Sequence, residues 1–442
     1  MHPRPRRPAA LIALLGFGLA AAFGLGWGGY HLWQSYFGSP GLLELIAALH
    51  PEPGAAPPEA IARGPLGSRY LTESELRELR LELDLGRVKH LRRLDQMRWV
   101  LACTRGIDCI PQIEEPRFEL VHEADEWLGD GDLVLSVRSG RYVKAYPLKI
   151  MAWHQVLNDQ FGETPAVVVY CPLTGAGVAY VRPTIWNEPL EFGASGRLYN
   201  ANLLLYDRQT GTLWQSFTGE ALAGPLVGIA APLERLPAAI VPWGEWKRAH
   251  PGGRVLARPE RIRWGVGGKV YHASHQRYEE YPYAEYELRR WVGYGVDVDR
   301  LELRGLPSKR RIVGVSLDND GAGAAKAYLR RALKGARLLN DKVGEEEVLV
   351  VLTLDGEVRA FKRRLELGPQ LARVLELEFE LQGDKLVDRQ TGTVWTLEGE
   401  PLRGPLASLE PKPKLEELPT TSAYWFAWVL FHPETELFPG GS

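Results

Sequence analysis

The chain has 442 residues, of which 45% are hydrophobic and 24% are charged. Its 14 Trp and 17 Tyr argue against an intrinsically disordered protein, because disordered chains are poor in aromatic residues. The formal net charge is −2 and the basic residues are spread along the chain, so no nucleic acid is expected as a partner. A chain of this length can form two or three domains, each with its own core.

The N-terminus, residues 1–35, has the pattern of a signal peptide or a membrane anchor. Arg4, Arg6 and Arg7 precede a long apolar run that contains no acidic residue. A basic flank followed by ~20 apolar residues is typical of a helix whose positive end stays in the cytoplasm. The run continues past the small residues at 20–22, where a signal peptidase could cut. We therefore expect an uncleaved helix that tethers an extracytoplasmic body to the membrane; cleavage would instead release a secreted protein.

Residues 36–107 are predicted to be a linker followed by a charged amphipathic helix. The stretch from Pro51 to Pro65 is rich in Pro, Ala and Gly, as linkers are. Thr72 and Glu75 have the spacing of a capping box, and leucines follow at helical intervals. We expect this helix to serve as a packing or spacer element.

The three cysteines are Cys103, Cys109 and Cys171. In an oxidising compartment, Cys103 and Cys109 could close a short loop as a disulfide. Their spacing permits this bond without requiring it. Cys171 would then be the odd cysteine, either buried on a strand or available as a ligand or a nucleophile.

A buried strand followed by a tight turn is predicted near the middle of the first 250 residues. The apolar run at 166–169 leads into Tyr170-Cys171-Pro172-Leu173-Thr174-Gly175. Short β-branched runs bounded by Pro and Gly are typical of strands. The turn would place a thiol, a hydroxyl and several backbone N–H groups at the end of a rigid element. That is a suitable place for chemistry, although it does not define a reaction.

Several sequence elements occur twice, in the same order and at a nearly constant offset. The segment at 207–214 returns at 388–395 with one change, Leu213 to Val394. The other pairs include Leu157-Asn158-Asp159 with Leu339-Asn340-Asp341, Lys144-Ala145-Tyr146 with Lys326-Ala327-Tyr328, and Trp243, Trp246, His250 and Pro251 with Trp425, Trp428, His432 and Pro433. This pattern predicts a tandem duplication. Its first unit spans residues 108–252 and its second unit spans 308–438, with a connector at 253–307.

Each unit is predicted to be α+β, mostly antiparallel β-structure with a few packed helices. In the first unit we expect a hairpin at 133–146, an amphipathic helix at 148–157 and then the central strand. Asp and Gly at 207–211 predict a turn between two short strands. A Trp-bearing helix should end near His250-Pro251.

The connector contains two histidines and a run of tyrosines, namely His272, His275, Tyr278, Tyr281, Tyr283 and Tyr286. Two histidines three residues apart are a weak indication of a metal site. We favour a surface loop or packing between the units.

A set of short motifs is spread over residues 108–437. They are Cys109-Ile110-Pro111, Pro116-Arg117-Phe118, Ala145-Tyr146-Pro147-Leu148, Trp153-His154, Tyr170-Cys171-Pro172-Leu173, Phe192-Gly193-Ala194-Ser195-Gly196 and Leu198-Tyr199-Asn200. By these motifs the chain resembles the domain of unknown function 3179 family. The resemblance implies little about activity, since the family has no established biochemical role.

One departure from the family pattern concerns the turn. Relatives often have Cys-Pro-Leu-Cys-Gly-Thr, whereas this chain has Thr174 in place of the second Cys and Ala176 in place of the Thr. A Cys-x-x-Cys pair would indicate redox or soft-metal chemistry. With Thr174 present, neither is indicated here.

The predicted duplication allows the two copies to be compared. Residues that recur are first interpreted as scaffold, while polar residues that occur in the first unit alone are candidates for a site. His154, for example, aligns with Ala336. The candidates for binding a ligand or metal are His154, Tyr170, Cys171, Thr174, Ser195, Tyr199 and Asn200. We expect His154 and Cys171 to lie close together in a concave pocket; the alternative is that His154 is a hydrogen-bonded core residue.

Three classes of function remain open. The first is an extracytoplasmic, membrane-anchored protein that binds a small ligand or a metal ion in the first unit. The second is a thiol-dependent enzyme with Cys171 as nucleophile and His154 as base, although no local signature of a known cysteine hydrolase is present. The third is a purely structural scaffold. The sequence assigns no cofactor.

Overall fold

A computed structural model describes the protein at residues 69–70, 100–101, 108, 110–113, 115–185, 188–223, 226–227, 230–264, 269–292, 296, 298–317, 323–367 and 373–439. The predicted anchor at 1–35, most of the predicted linker and helix at 36–107, and both Cys103 and Cys109 lie outside these residues. Within the described residues, no helix is long and apolar enough to cross a membrane.

We call residues 108–256 the first half and residues 308–439 the second half. The strands up to the end of the first half are β1 (Arg69–Tyr70), β2 (Val100–Leu101), β3 (Gln112–Ile113), β4 (Phe118–Leu120), β5 (Leu133–Ser139), β6 (Tyr142–Pro147), β7 (Val156–Phe161), β8 (Thr164–Cys171), β9 (Ala176–Val181), β10 (Thr184–Ile185), β11 (Glu188–Pro189), β12 (Phe192–Tyr199), β13 (Asn202–Asp207), β14 (Leu213–Gln215), β15 (Ala221–Ala223), β16 (Arg235–Leu236), β17 (Ala238–Pro242) and β18 (Arg254–Leu256). Its helices are α1 (Val121–Ala124), α2 (Leu148–His154) and α3 (Trp243–Ala249).

From here on, the connector is the segment between the halves, residues 257–307. It contains β19 (Arg261–Trp264), β20 (Lys269–His272), α4 (Ala284–Leu288) and short 3-10 turns at His275–Tyr278 and Val298–Arg300. The strands of the second half are β21 (Arg311–Ser316), β22 (Ala325–Tyr328), β23 (Leu338–Val343), β24 (Glu346–Leu352), β25 (Val358–Lys362), β26 (Arg364–Leu367), β27 (Arg373–Glu376), β28 (Phe379–Gln382), β29 (Lys385–Asp388), β30 (Val394–Trp395), β31 (Pro401–Arg403), β32 (Glu417–Leu418), β33 (Thr420–Tyr424) and β34 (Glu436–Phe438). Its helices are α5 (Arg330–Ala336) and α6 (Trp425–Phe431), with a 3-10 turn at Leu406–Ser408.

One sheet contains strands from both halves. Its order is β34-β22-β21-β33-β9-β8-β7, and β16 pairs with β9 away from this path. The first half also forms the sheet β17-β5-β6-β18-β4, and the second half forms the sheet β23-β24-β25-β32. Almost all strand pairs are antiparallel; β6 with β18 and β22 with β34 are parallel. The predicted α+β class, mostly antiparallel with few helices, agrees with this architecture.

Several predicted elements are confirmed. The hairpin β5–β6 lies at the predicted place, β8 ends at the predicted turn, and α3 ends immediately before His250. The predicted turn between Asp207 and Gly211 joins β13 to β14. These elements follow directly from alternating apolar residues and from Gly, Pro and Asp at the chain reversals.

The helix predicted at 148–157 is shorter than expected. It ends at His154, Gln155 has a positive φ of 58°, and β7 begins at Val156. All of β7 pairs with β8, which buries Val156 and Phe161. Tertiary pairing therefore outweighs the helical spacing of the apolar residues.

Matching positions of the two halves make the same contacts. Asp207 accepts hydrogen bonds from the Thr210 N–H at 2.6 Å and from Trp214 Nε1 at 2.9 Å. Asp388 accepts the corresponding bonds from Thr391 and Trp395 at the same two distances. Each Asp closes a turn and anchors a buried indole, as expected of scaffold residues.

A second recurring contact involves an asparagine on a strand. The Asn158 side chain exchanges two hydrogen bonds with the backbone of Phe192, at 2.8 and 2.9 Å. Asn340 makes the same exchange with Phe379. Asn158 lies on β7, and its two hydrogen bonds tie this strand to β12.

Candidate functional site

His154 is a buried, neutral core residue. Its Nδ1 lies 2.8 Å from the carbonyl oxygen of Pro111, and its Nε2 lies 2.8 Å from the hydroxyl of Tyr278. Burial lowers the pKa of His154 to about 4, against the opposing effect of the Pro111 hydrogen bond. The imidazole is therefore neutral at pH 7. Nδ1–H must donate to the carbonyl, so Nε2 accepts from the tyrosine.

Cys171 is a buried thiol at the end of β8. It is 2% exposed, and its Sγ lies 3.9 Å from the carbonyl oxygen of Ala201. Burial raises the pKa of this thiol, although hydrogen bonds from Thr174 and nearby backbone groups oppose the effect. Because the thiolate is the reactive form, the surroundings make Cys171 a poor nucleophile.

The predicted pair of His154 and Cys171 is not formed. Neighbouring residues of a strand point to opposite faces of the sheet. Tyr170 packs in the cluster that contains Met151 of α2, whereas Cys171 packs in a different cluster with Leu203. The hydrogen bonds of the two residues therefore do not support a thiol mechanism in which His154 serves as the base for Cys171.

Thr174 and Ser195 are buried and hydrogen-bonded. Thr174 Oγ1 donates to Asn202 Oδ1 at 2.7 Å, and Asn202 in turn donates to Ser216 at 2.8 Å. The Ser195 hydroxyl donates to the carbonyl of Leu204 at 2.7 Å, where the pairing of β12 with β13 is irregular. Both hydroxyls therefore have a structural role, because they form hydrogen bonds within the fold.

Tyr199 and Asn200 lie at a chain reversal. Asn200 and Ala201, both with positive φ, form the turn between β12 and β13. The Asn200 amide lies 3.5 Å from the carbonyl of Leu430, and the ring of Tyr199 is 6.1 Å from that of Phe431. These residues pack the turn against α6.

Tyr170 belongs to a polar cluster that the sequence did not predict. Its hydroxyl lies 2.7 Å from that of Tyr281. Arg311 Nη2 donates to Glu287 Oε1 at 2.6 Å and lies 3.2 Å from the hydroxyl of Tyr424. The Tyr424 hydroxyl also donates to Glu287 Oε1. Burial lowers the pKa of Arg311, but the neighbouring phenols and Glu287 outweigh it and raise the pKa. We call these five residues the tyrosine–arginine cluster.

The connector covers the turn after β8. The Tyr286 hydroxyl donates to the carbonyl of Leu173 at 2.7 Å. Lys309 lies 3.5 Å from the centre of the Tyr286 ring and donates to the carbonyl of Arg289 at 2.9 Å. Burial lowers the pKa of Lys309 to about 8, although Glu287 opposes the shift. The turn that was predicted to carry a site is thus covered by aromatic side chains.

A cleft of about 240 Å³ lies where the two halves meet. It is lined by Arg138, Arg235, Leu236, Pro237, Ala238, Ala239, Glu357, Val358, Arg359, Glu417, Leu418, Pro419 and Thr420. Three arginines and two glutamates line it together.

Two of the arginines are compensated by carboxylates. Glu357 accepts hydrogen bonds from Ser136 at 2.7 Å and from Arg138 Nε at 3.0 Å. Arg138 also pairs with Glu417 at 3.2 Å. Arg359 pairs with Glu357 at 3.5 Å and with the more exposed Glu398 at 2.9 Å. This network fixes the wall that the second half contributes.

Arg235 differs from the other two arginines. Its Nη1 donates to Thr421 Oγ1 at 2.7 Å, its Nη2 donates to the carbonyl of Phe217, and its guanidinium lies 5.7 Å from the centre of the Tyr180 ring. The buried Nε of Arg235 has no hydrogen-bond partner, which is also true of the Nε of Arg359. Across the described ranges, no carboxylate forms an ion pair with Arg235. Of the three arginines in the lining, Arg235 is therefore the one without an ion pair to a described carboxylate.

The described residues do not supply a metal site. In this part of the chain, no group of three or more His, Cys, Asp or Glu residues is placed to hold a metal ion. His272 and His275 of the connector are both exposed, consistent with a surface loop.

The sequence signals for the cleft were weak but visible. Glu357 and Arg359 flank the first residue of β25 and are both buried, which is unusual for charged residues. In the first half, the register of β8 with β9 places Ala176 and Val178 at the matching positions. A search for charges within predicted core strands would have found Arg359; nothing local marks Arg235.

The fold and the site define a mostly β protein whose two halves share a sheet, with an arginine-rich cleft at their junction. The chain belongs to the family described as "Protein of unknown function (DUF3179)", whose model matches residues 107–435. This agrees with the resemblance seen in the sequence motifs. No curated protein and no solved structure matched the chain.

Proposed function

We propose that this protein binds a small organic anion in the cleft between its two halves. The observation that carries the proposal is the uncompensated Arg235 in the wall of the cleft. A buried charge is costly unless it is paired, and a guanidinium offers several donors in a planar arrangement suited to carboxylate or phosphate. An anionic ligand would supply the missing partner.

The size of the cleft supports a small ligand. Pockets for drug-sized molecules have volumes of roughly 300–1,000 Å³. The cleft is smaller, at about 240 Å³, and its walls alternate apolar residues such as Leu236 and Val358 with the charged ones. A short carboxylate or a phosphate ester with an apolar portion fits this chemistry.

The lining favours binding over covalent catalysis. No Cys, Ser or His is among the residues that line the cleft. Of the sequence hypotheses, a ligand-binding protein is therefore better supported than a thiol enzyme. A metal ion is less well supported, because the lining offers only two carboxylates and both are already paired with arginines.

We also propose that the body of the protein is extracytoplasmic and tethered by an uncleaved helix at 1–35. The basic flank and the long apolar run support this. Membrane fractionation with N-terminal sequencing tests it. A mature N-terminus near Phe23 would contradict the anchor while leaving the compartment unchanged.

We further propose that the two halves arose by tandem duplication. Asp207 and Asp388 make matching contacts in the two halves, and so do Asn158 and Asn340. These recurring contacts support this origin. The cleft would then lie between matching segments of the two copies, since residues 235–238 correspond to residues 417–420.

The experiment for the binding proposal is a search for the anion itself. The protein is purified without phosphate or carboxylate buffers, denatured, and its released small molecules are identified by mass spectrometry in negative mode. In parallel, inorganic phosphate, acetate, succinate and citrate are tested for saturable thermal stabilisation against chloride at equal ionic strength. A stoichiometric anion or a saturable shift supports the proposal; the absence of both contradicts it.

A further inference from the structure

We infer that Arg311, Tyr424 and Tyr170 form a second binding site, specific for carboxylates, and that Glu287 of the connector occupies it as an internal ligand. The site is separate from the cleft. Thr420 at the start of β33 lines the cleft, whereas Tyr424 at the end of the same strand belongs to this site.

The geometry is that of carboxylate recognition. The Arg311 guanidinium and the Tyr424 hydroxyl both donate to one oxygen of Glu287, Oε1. Arg311 also lies within hydrogen-bonding reach of Tyr170, which is fully buried. A guanidinium flanked by phenol hydroxyls therefore surrounds a single carboxylate group, and such charge-assisted hydrogen bonds are directional and strong.

The fold itself does not require these side chains. Arg311 is paired with Tyr424 across β21 and β33. The matching strands of the first half, β5 and β17, pair Leu133 with Pro242 at the corresponding ends. An apolar pair is thus sufficient to end these strands, and the polar pair of the second half needs another explanation. Binding of a carboxylate provides one.

The internal ligand is partly open to solvent. Glu287 lies on α4, a helix of five residues, and the neighbouring Leu288 is 88% exposed. The side chains of Glu287 and Arg311 are 32% and 30% exposed, so solvent reaches their ion pair. Partly exposed ion pairs are weak because water and salt compete with them. A carboxylate from solution can therefore compete with Glu287 for Arg311.

Displacement of Glu287 would have a structural consequence. The same short helix carries Tyr286, whose hydroxyl contacts the carbonyl of Leu173. If a free carboxylate takes the place of Glu287, this part of the connector loses its ion pair and is released from the turn after β8. The site thus couples carboxylate binding to uncovering of the turn.

Chemical rescue tests this inference. The Glu287→Ala variant removes the internal ligand and leaves Arg311 in place. Acetate should raise the melting temperature of this variant saturably. It is titrated over about 1–200 mM, a range that includes the effective concentration of a tethered group. Sodium chloride at equal ionic strength should not. Wild type and Glu285→Ala, which alters an exposed carboxylate on the same helix, should show no such acetate-specific rise.

The double variant Glu287→Ala/Arg311→Met should lose the acetate response. An equal response in all variants, or none in Glu287→Ala, would overturn the inference. If Glu287→Ala does not fold, hydrogen exchange on the wild type decides: acetate, unlike chloride, should speed exchange of the peptide covering 281–291. Unchanged exchange would contradict the proposed competition.

Discussion

Ser422 of β33 lies opposite Gly177 of β9, and this register pair joins the strands of the two halves into one sheet. A Cβ atom on Gly177 would lie 2.8 Å from Leu135 Cδ1 and 3.2 Å from Ile240 Cδ1. The absence of a side chain at Gly177 therefore allows the first-half hairpin to pack closely against the shared sheet.

Replacement of Gly177 by alanine should destabilise the whole protein. The added methyl group meets a packed core, and overpacking of this kind costs about 1–3 kcal/mol. Gly252→Ala is the matched control, because a Cβ there meets no atom within 4 Å. Urea denaturation of both variants measures the difference. Equal stability of the two variants would show that the junction tolerates a side chain.

The two turn aspartates should contribute similarly to stability. Asp207→Ala and Asp388→Ala each remove the partner of a buried indole N–H, which costs about 1–3 kcal/mol. Asp384→Ala, at an exposed position, should change little. Denaturant midpoints of the three variants test this. A loss at Asp207 with none at Asp388 would contradict the view that both turns are scaffold.

Cys171 should be inert in the folded protein. Its thiol is buried and its pKa is raised by burial, so a maleimide reagent should not label it until the protein unfolds. The measurement uses a Cys103→Ser/Cys109→Ser background, so that Cys171 is the one cysteine left. Rapid labelling under native conditions would instead support a reactive role for this thiol.

Acid should destabilise the protein partly through His154. Its pKa is lowered to about 4 by burial, from an ordinary value of 6.5, so the unfolded chain takes up a proton that the folded chain excludes. The contribution of His154 to the free energy of unfolding is therefore fully present above pH ~6.5. It is lost as the pH drops towards 4, by roughly 3 kcal/mol in all. Denaturation curves at several pH values measure this slope.

The control for this slope is His154→Gln. This variant starts less stable, because it loses at least one of the two hydrogen bonds of the imidazole. Its stability should nevertheless depend less on pH between 6.5 and 4 than that of the wild type. An exposed-histidine variant, His272→Gln, should keep the wild-type slope. If the slopes of His154→Gln and the wild type are equal, His154 is not the buried neutral group described.

The sequence was informative wherever a signal is local. The hairpin β5–β6, the turn after β8 and the end of α3 at His250 follow from alternation and turn residues. The helix predicted at 148–157 is longer than the observed one. Its last residues form β7 instead, because they pair with β8, and local residue spacing does not reveal this pairing. The joining of both halves into one sheet depends on a single distant pairing and was not predicted.

The candidate site was harder to predict for the same reason. His154 and Cys171 are close in sequence, but the alternation of β8 directs Tyr170 to the cluster beside α2 and Cys171 to a different cluster. The cleft combines Arg138, Arg235 and Arg359, which are distant in sequence and meet only through the sheet register. The candidate residues predicted from the sequence lie in the first half, whereas three of the five charged residues that line the cleft lie in the second half.

The most direct test of the account is calorimetric titration of the anion found to bind, using wild type, Arg235→Gln, Arg235→Lys and Arg389→Gln. Arg389 is an exposed arginine already paired with Glu378 and Glu380, so its loss controls for net charge. Loss of a charge-assisted contact at Arg235 should weaken binding by about tenfold or more in Arg235→Gln, with an intermediate loss in Arg235→Lys. Arg389→Gln should bind like the wild type. Equal affinity of the wild type and a folded Arg235→Gln would contradict the assignment of the cleft as the binding site.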